Sequence, residues 1–557
     1  MKKLLGSCLA VAMLLGVALA GAPQARAADV EMVGAFCHSG YDGAMADLDL
    51  LGEMIGRPEL HTMAEGMIAL ATQGRGIEGF DKTRPWGILV GADGTEVGGC
   101  AFIPVTDMKA AMGMLKSMAK DKMKECGGHY EIAGPKKTVY VQETHKGWAF
   151  VVDNPDLFQY VPANPVEVLG GLNEQYSVAV RMWPAKLPDE VRRDMAEKAK
   201  KHAERHMKRR PCENDRQFEA RKFMAGHIRK HLAIAARDLE EMTIGWKLDS
   251  SDRKGVLEAV FVAKEGSDTA HFLAPAAETH TAFGGFALAD ATLTLRGTGR
   301  TIPLPDAKLD DMFDGMREKI FKKIDAKASA DDAEVVKDLV DDLLPILREN
   351  AGATSADGAV SVRLAPEAIT LLNARQVADG AKIEALVKKA VGAAGDRCPD
   401  VVDRIVKLDA AKVGRTNLHL VSVPLDECPH GDALSGAVGE KLEIVLGFGP
   451  KAAYLAAGRN AMEELQKALR KSRKARDKVV PPMAATLDLG ALATSAAACP
   501  SEKVNPKGKK ALELLEGASG DEVRFTVEAV DRGLKLCLEL DEGALKLLAE
   551  CPKHKRK

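Results

Sequence analysis

Apolar and polar residues follow the same order in two separate stretches of the chain, residues 88–119 and 360–391. In each stretch an apolar run is followed by turn residues, a second apolar run and then a predicted helix that begins after Asp107 or Asp379. Apolar residues recur on one face of both predicted helices, which is the spacing of a helix that packs on a core. Because the two stretches align without a gap, the pattern predicts two related units.

The correspondence continues downstream at a larger offset. Residues 138–141 and 148–152 read as a strand pair, as do 442–446 and 452–456. Two closing hairpins are predicted, over 242–248 with 256–262 and over 523–530 with 534–540, and Gly533 supplies the flexible turn position that the second hairpin needs. Helices interleaved with hairpin-connected strands predict an α+β fold of two related halves, each with an antiparallel sheet and packed helices.

The chain has 557 residues, which is too long for one ordinary core at roughly 100–200 residues per domain. We expect a signal peptide over 1–27, a first α+β repeat over 28–280 and a second over 281–557. The second repeat is predicted to carry an insertion at about 395–432. The first repeat is predicted to carry a long helical hairpin over 188–241, broken at Pro211 and capped again at Asn214.

The N-terminus has the charged, apolar and small-residue sections of a secretory signal, with cleavage expected before Ala28. An exported protein, periplasmic or extracellular, is therefore predicted. Removing Lys2, Lys3 and Arg26 changes the formal charge from −2 to −5, because three positive charges are lost. An acidic protein of this kind is not expected to bind nucleic acid. No later apolar run has the roughly 20 residues that a membrane span requires, so no transmembrane segment is expected in the mature chain.

Ten cysteines minus Cys8 of the predicted signal leave nine, in a compartment where disulfides persist. Three pairings are candidates: Cys398 with Cys428, Cys499 with Cys551 or Cys537, and Cys100 with Cys126. No C-x-x-C motif occurs, so redox motifs, c-type haem attachment and cysteine zinc ribbons lose their usual signature.

The strongest candidate metal site is formed by His202 and His206 in the helical hairpin. Their i, i+4 spacing places both imidazoles on one helical face, where they can share a metal ion. The segment lacks the glutamate of the H-E-x-x-H zinc-protease motif. The two histidines also extend an apolar stripe, so packing between helices is the alternative interpretation.

Two runs in and after the hairpin are distinctive: Arg210-Pro211-Cys212-Glu213-Asn214-Asp215-Arg216-Gln217-Phe218 and Asp238-Leu239-Glu240-Glu241-Met242-Thr243-Ile244-Gly245-Trp246. In these runs the chain resembles an uncharacterised group of exported planctomycete-type bacterial proteins. The resemblance covers the first half of the chain and includes no catalytic motif. It implies export and assigns no site residues.

Local catalytic motifs give no support for an enzyme. The G-x-S-x-G motif is absent, and Ser117 with Lys120, which match S-x-x-K, fall inside a predicted structural helix. We therefore predict no catalytic residues, no cofactor, and a non-catalytic binding or structural component of the cell envelope. Its partner is expected to be an apolar small molecule or an envelope protein, because an antiparallel sheet flanked by helices can enclose an apolar groove. The alternative is an envelope hydrolase whose active site is assembled from distant loops.

Overall fold

A computed structural model gives the architecture of the chain. It describes residues 31–92, 97–119, 123–134, 137–194, 197, 201, 215–303, 306–365, 368–426, 431–499 and 503–550. The fold is α+β, as predicted, and every strand pairing is antiparallel. The predicted signal peptide lies outside the described residues.

The first half contributes ten strands to the sheet. They are β1 (Glu31–His38), β2 (Trp86–Ala92), β3 (Val97–Pro104), β4 (Met123–Cys126), β5 (His129–Ala133), β6 (Thr138–His145), β7 (Trp148–Val152), β8 (Val178–Met182), β9 (Leu239–Asp249) and β10 (Lys254–Ala263). Its helices are Tyr41–Met54, Leu60–Ala71, Met108–Ala119, Pro165–Leu169, Leu172–Gln175, Asp215–Asp238 and Asp268–Leu273.

The second half contributes ten more. They are β11 (Leu293–Arg300), β12 (Ser355–Ala365), β13 (Ala368–Gln376), β14 (Val406–Val413), β15 (Thr416–Pro424), β16 (Lys441–Gly449), β17 (Ala452–Gly458), β18 (Met483–Asp488), β19 (Glu522–Val530) and β20 (Gly533–Asp541). Its helices are Asp306–Asp325, Ala330–Ala351, Gly380–Gly395, Pro399–Ile405, Gly431–Val438, Ala461–Lys474, Leu489–Ala498, Asn505–Leu515 and Glu542–Glu550.

The two halves have the same strand order. In the first half it is β4-β5-β6-β7-β3-β2-β1-β8-β9-β10. In the second it is β14-β15-β16-β17-β13-β12-β11-β18-β19-β20. Pairing of β10 with β20 joins them into one sheet of twenty strands. Their origin by tandem duplication stays a prediction, which this shared order favours.

The structure adds detail to two of the sequence-based boundaries. The segment 395–432 contains β14 and β15, and these strands occupy the places of β4 and β5 in the first half. That this segment is an insertion stays a prediction. Only its short flanking helices, Pro399–Ile405 and Gly431–Val438, lack a described counterpart there. The second helix of the predicted hairpin ends at Asp238 rather than 241, because Leu239 already pairs with Ala263 in the sheet. The turn of that hairpin lies outside the described residues.

Buried cores lie toward the two ends of the sheet. In the second half, Leu465 and Leu469 of the Ala461–Lys474 helix pack on Leu418 and Val445. In the first half, Phe102 and Phe150 pack with Leu169 and Leu172. A separate cluster on the opposite side of the first half holds Met112 of the Met108–Ala119 helix with Val141 and Ala149. The six central strands lie between these cores.

Candidate functional site

Several of the sequence-predicted site residues lie outside the described part of the chain. His202 and His206 lie outside the described residues, as do Cys428 and Cys551. Cys499 and Cys537 are both free thiols, so the alternative bridge between them is not formed. The pairings of Cys398 with Cys428 and of Cys499 with Cys551 stay predictions, because Cys428 and Cys551 lie outside the described residues.

The bridge predicted between Cys100 and Cys126 is not formed. Both thiols are free. Cys100 lies on β3 and Cys126 on β4, and β7, β6 and β5 lie between these two strands in the sheet. Four strand spacings correspond to about 19 Å, whereas a disulfide requires Cα atoms within about 7 Å. Burial also raises the pKa of Cys100 to about 12, which is typical of an inert structural thiol.

Three potential ligand side chains do meet in the second half: Glu384, Asp409 and His419. Glu384 lies on the Gly380–Gly395 helix, Asp409 in a β-bulge of β14, and His419 on β15. The imidazole of His419 is buried, with 1% of the residue exposed. Its Nε2 atom lies 3.4 Å from Oε1 of Glu384 but has no hydrogen-bond partner in the structure.

A lysine already supplies the positive charge of this polar cluster. Lys388 Nζ lies 2.9 Å from Oε1 of Glu384 and 3.0 Å from both carboxylate oxygens of Asp409. Burial alone would raise the pKa of Glu384, but hydrogen bonds from Lys388 and Asn417 lower it. A separate hydrogen bond from Lys388 lowers the pKa of Asp409. Both carboxylates are therefore held in their charged form.

The hydrogen bond at the other ring nitrogen limits what His419 can do. The backbone N–H of Asp409 donates to Nδ1 of His419 at 2.9 Å, so Nδ1 is an acceptor and the proton of the neutral ring lies on Nε2. A metal ligand needs a free lone pair, which the inward-facing Nε2 then lacks. The polar cluster is better explained as an electrostatic clamp between the helix and the β14–β15 hairpin.

Sequence reasoning missed this cluster because its members are separated along the chain. Glu384 and Lys388 form an ordinary i, i+4 pair on a helix. Nothing in the sequence connects them with Asp409 or His419. Only the ungapped alignment of the two halves gives a signal, because it places Glu384 where the first half has the buried Met112.

A much larger feature is the centre of the sheet, where residues of opposite character alternate along each strand. On β19, Val523, Phe525 and Val527 alternate with Arg524 and Thr526. Directly opposed residues of antiparallel strands share a face, so the pairing register sorts these side chains into two faces. We call the face that carries Leu257 the apolar face and the face that carries Glu258 the charged face, within β9, β10, β20, β19, β18 and β11.

The apolar face consists of four cross-strand rows without a polar side chain. The rows are Met242–Phe261–Leu534–Ala529, Ile244–Ala259–Leu536–Val527–Met483, Trp246–Leu257–Leu538–Phe525–Ala485–Leu295 and Leu248–Gly255–Leu540–Val523–Leu487–Leu293. The Trp246 ring lies directly over Gly255, where an added Cβ atom would come within 2.4 Å of it. Glycine at this position therefore allows the indole to lie flat on the sheet.

The apolar face is open. Ile244, Leu257, Leu293, Leu295 and Met483 are each 38–39% exposed. Every large hydrophobic strand residue among the described residues that is this exposed belongs to this one face. A leucine in the middle of a sheet is already flanked by its neighbours in the strand and across it. It keeps this much exposed surface only when no element of the described part of the chain covers it fully.

On the charged face of the same strands, the charged side chains of β10, β19 and β20 are paired within the protein. Arg524 contacts Glu522, Glu539 and Asp541 at 2.5–3.2 Å. Farther along the same face, Lys535 lies 2.9 Å from Glu528. The hydroxyl of Tyr176 donates to Glu258 at 2.8 Å. This network is suited to water, whereas the other face is not.

Comparisons with known proteins provide no relative for this arrangement: no protein-family model, no curated protein and no solved structure matches the chain. None of the helices in the described part of the chain is both long enough and apolar enough to cross a bilayer.

Proposed function

We propose that this protein is a non-catalytic binding component of the cell envelope that holds an apolar ligand on the apolar face. One observation carries the proposal: five large hydrophobic side chains of the central strands are more than a third exposed on a single face. Contiguous exposed apolar surface of this extent marks interaction sites in soluble proteins, because leaving it in water is unfavourable.

The chemistry of the face favours a hydrocarbon over a polypeptide as its occupant. A polypeptide brings backbone N–H and C=O groups that need hydrogen-bond partners. The four rows offer no polar side chain, and the six strands are all paired on both sides, so no strand edge is free within the face. A lipid chain has no such backbone groups and needs neither a polar side chain nor a free strand edge to bind. Six strands span about 24 Å, longer than the roughly 15 Å that one leaflet contributes to a bilayer core.

The alternative function, an envelope hydrolase, would require a side chain poised to accept a proton or to attack a substrate. The polar cluster of Glu384, Asp409 and His419 brings together the right residue types. However, Lys388 lowers the pKa of both carboxylates and the Asp409 N–H occupies Nδ1 of His419. A carboxylate stabilised in this way is a weak base. The geometry gives the hydrolase less support than the binding function.

The experiment compares the full chain with two glutamate variants. Leu257→Glu places a charge in the centre of the apolar face. Leu70→Glu is the matched control, because Leu70 is 83% exposed on the Leu60–Ala71 helix. Binding of the fluorescent fatty acid dansyl-undecanoate is titrated, and native mass spectrometry measures co-purified lipid.

We expect the wild type and the Leu70→Glu variant to bind the probe, and the Leu257→Glu variant to lose at least about tenfold in affinity. Circular dichroism should show unchanged folding, since both positions are exposed. No binding by the wild type, or equal binding by both variants, would refute the proposal.

A further inference from the structure

One cross-strand row continues from the apolar face to an exposed arginine. From Ile244 it passes through Ala259, Leu536, Val527 and Met483, and then through Gly297 and Gly358 to Arg375 on β13. Because opposed residues share a face, Arg375 lies on the same side of the sheet as the exposed hydrophobic residues. The distance from Arg375 to Met483 is three strand spacings, about 14 Å, and to Ile244 seven, about 34 Å.

The two glycines leave the surface between the arginine and the hydrophobic residues bare. An added Cβ atom at Gly297 would meet no atom closer than the Pro482 carbonyl oxygen, at 4.0 Å. Neither Gly297 nor Gly358 is buried. A chain lying along this row would therefore meet no side chain between Met483 and Arg375.

The equivalent place in the first half is filled. His38 pairs with Trp86 and Val178, as Gly297 pairs with Gly358 and Met483. The rings of His38 and Trp86 are stacked there, with centroids 5.1 Å apart and planes within 6°. The bare surface therefore occurs only in the second half. The two ends of the apolar face differ, and a ligand can lie on it in one orientation.

Arg375 is exposed, and within the described part of the chain it forms no ion pair. An arginine is always charged and binds carboxylate or phosphate groups in a fork geometry. We infer that the ligand is a single-chain amphiphile with an anionic head group, whose head contacts Arg375 and whose chain lies over Gly358 and Gly297 onto the apolar face. This inference rests on the proposed function and adds the ligand's chemical class and orientation.

The test measures binding of oleate and of oleyl alcohol, which share the chain and differ in head-group charge. Each ligand's affinity is obtained from its ability to displace dansyl-undecanoate. The measurement is made on the full-length wild type and on two variants, Arg375→Gln and Arg300→Gln. Arg300 is an exposed arginine at the end of β11 on the opposite side of the sheet, and serves as the matched control. Palmitoyl lysophosphatidate is measured in parallel, to separate a carboxylate source from a phosphate source.

The wild type should bind the anionic amphiphiles about three- to fivefold more tightly than the alcohol, which is the range of an exposed ion pair. Arg375→Gln should remove this preference, and Arg300→Gln should retain it. In a further variant, Gly297→Leu, the leucine occupies the bare surface and should weaken the anionic ligands to the level of the alcohol.

Equal binding of acid and alcohol by the wild type would overturn the inference while leaving the proposed function intact. The same conclusion follows if the preference survives in Arg375→Gln. If neither ligand binds the wild type, the proposed function and the inference both fail.

Discussion

The two faces of the central strands carry opposite chemistry on the same backbone. On β20, Cys537 and Glu539 point to the charged face, while Leu536 and Leu538 point to the apolar face. The charged side chains of β10, β19 and β20 are paired with one another on one face, whereas five large hydrophobic side chains on the other face are more than a third exposed. An antiparallel sheet ordinarily covers its apolar face with its own helices and leaves the polar one to water. Here helices pack on the sheet mainly toward its two ends, and the proposed function assigns the exposed apolar side chains of the centre to a ligand.

The largest effect is expected from truncating a buried leucine, in comparison with a leucine on the apolar face. Leu418 is fully buried beneath the Ala461–Lys474 helix, whereas Leu295 is 39% exposed on the apolar face. Leu418→Ala should lower the free energy of unfolding by about 2–5 kcal/mol, because it leaves a cavity. Leu295→Ala should lower it by less than about 1 kcal/mol, because no cavity forms. Denaturant titration in lipid-free buffer measures both, and equal losses would mean that the apolar face is covered.

Acid should lower the free energy of unfolding through the ion pair between Arg253 and the buried Glu542 at the end of β20. Burial alone would raise the pKa of Glu542, but the Arg253 guanidinium and the Ser519 N–H lower it to about 2. Since the folded-state pKa lies below the ordinary value, the pair stabilises the protein above about pH 4.5, and this contribution is lost as the pH falls toward 2. It amounts to at most about 3 kcal/mol. In Arg253→Met the free energy of unfolding should fall less steeply between pH 5 and pH 2, and an unchanged slope would contradict this assignment.

The ion pairs of the charged face should contribute less than a buried core residue does. Arg524 bridges three carboxylates but is about one third exposed, so solvent screens its interactions. Arg524→Met should lower the free energy of unfolding by about 1 kcal/mol in low salt, and by less in high salt. Ligand affinity on the apolar face should stay unchanged. A loss of affinity in this variant would show that the two faces are not independent.

The smallest effect on stability is expected from a substitution in the polar cluster, at a position where the two halves have different residues. The Glu384→Met substitution introduces the residue found at the aligned position of the first half. Removing one partner of an ion pair is costly mainly when it leaves the other charge unpaired, and here Lys388 keeps Asp409 as a partner. Thermal unfolding should therefore report a change within about 1 kcal/mol. A loss above about 3 kcal/mol would assign the cluster a larger structural role than a replaceable clamp.

Much of the fold could be predicted from local pattern, and the open face could not. The hairpins around Arg253 and Gly533 and the helix that follows Asp107 were predicted from spacing and are confirmed. The alternation in β19 likewise shows that one face is apolar and the other polar. Whether the apolar face is covered depends on where distant helices lie, which no local spacing encodes. For the same reason the sequence did not indicate a role for Arg375. Only the strand pairing shows that it lies at the end of the row that begins at Ile244.

The most direct test is to map where a ligand contacts the protein. The full chain is irradiated with a diazirine-bearing fatty acid, digested, and the labelled peptides are located by mass spectrometry, with unlabelled oleate as competitor. Competable labels are expected on the apolar face, at Leu257, Leu295 and Met483. Labels confined to the exposed Leu70 region, or labels on the apolar face that oleate does not displace, would contradict the proposal that this face binds the ligand.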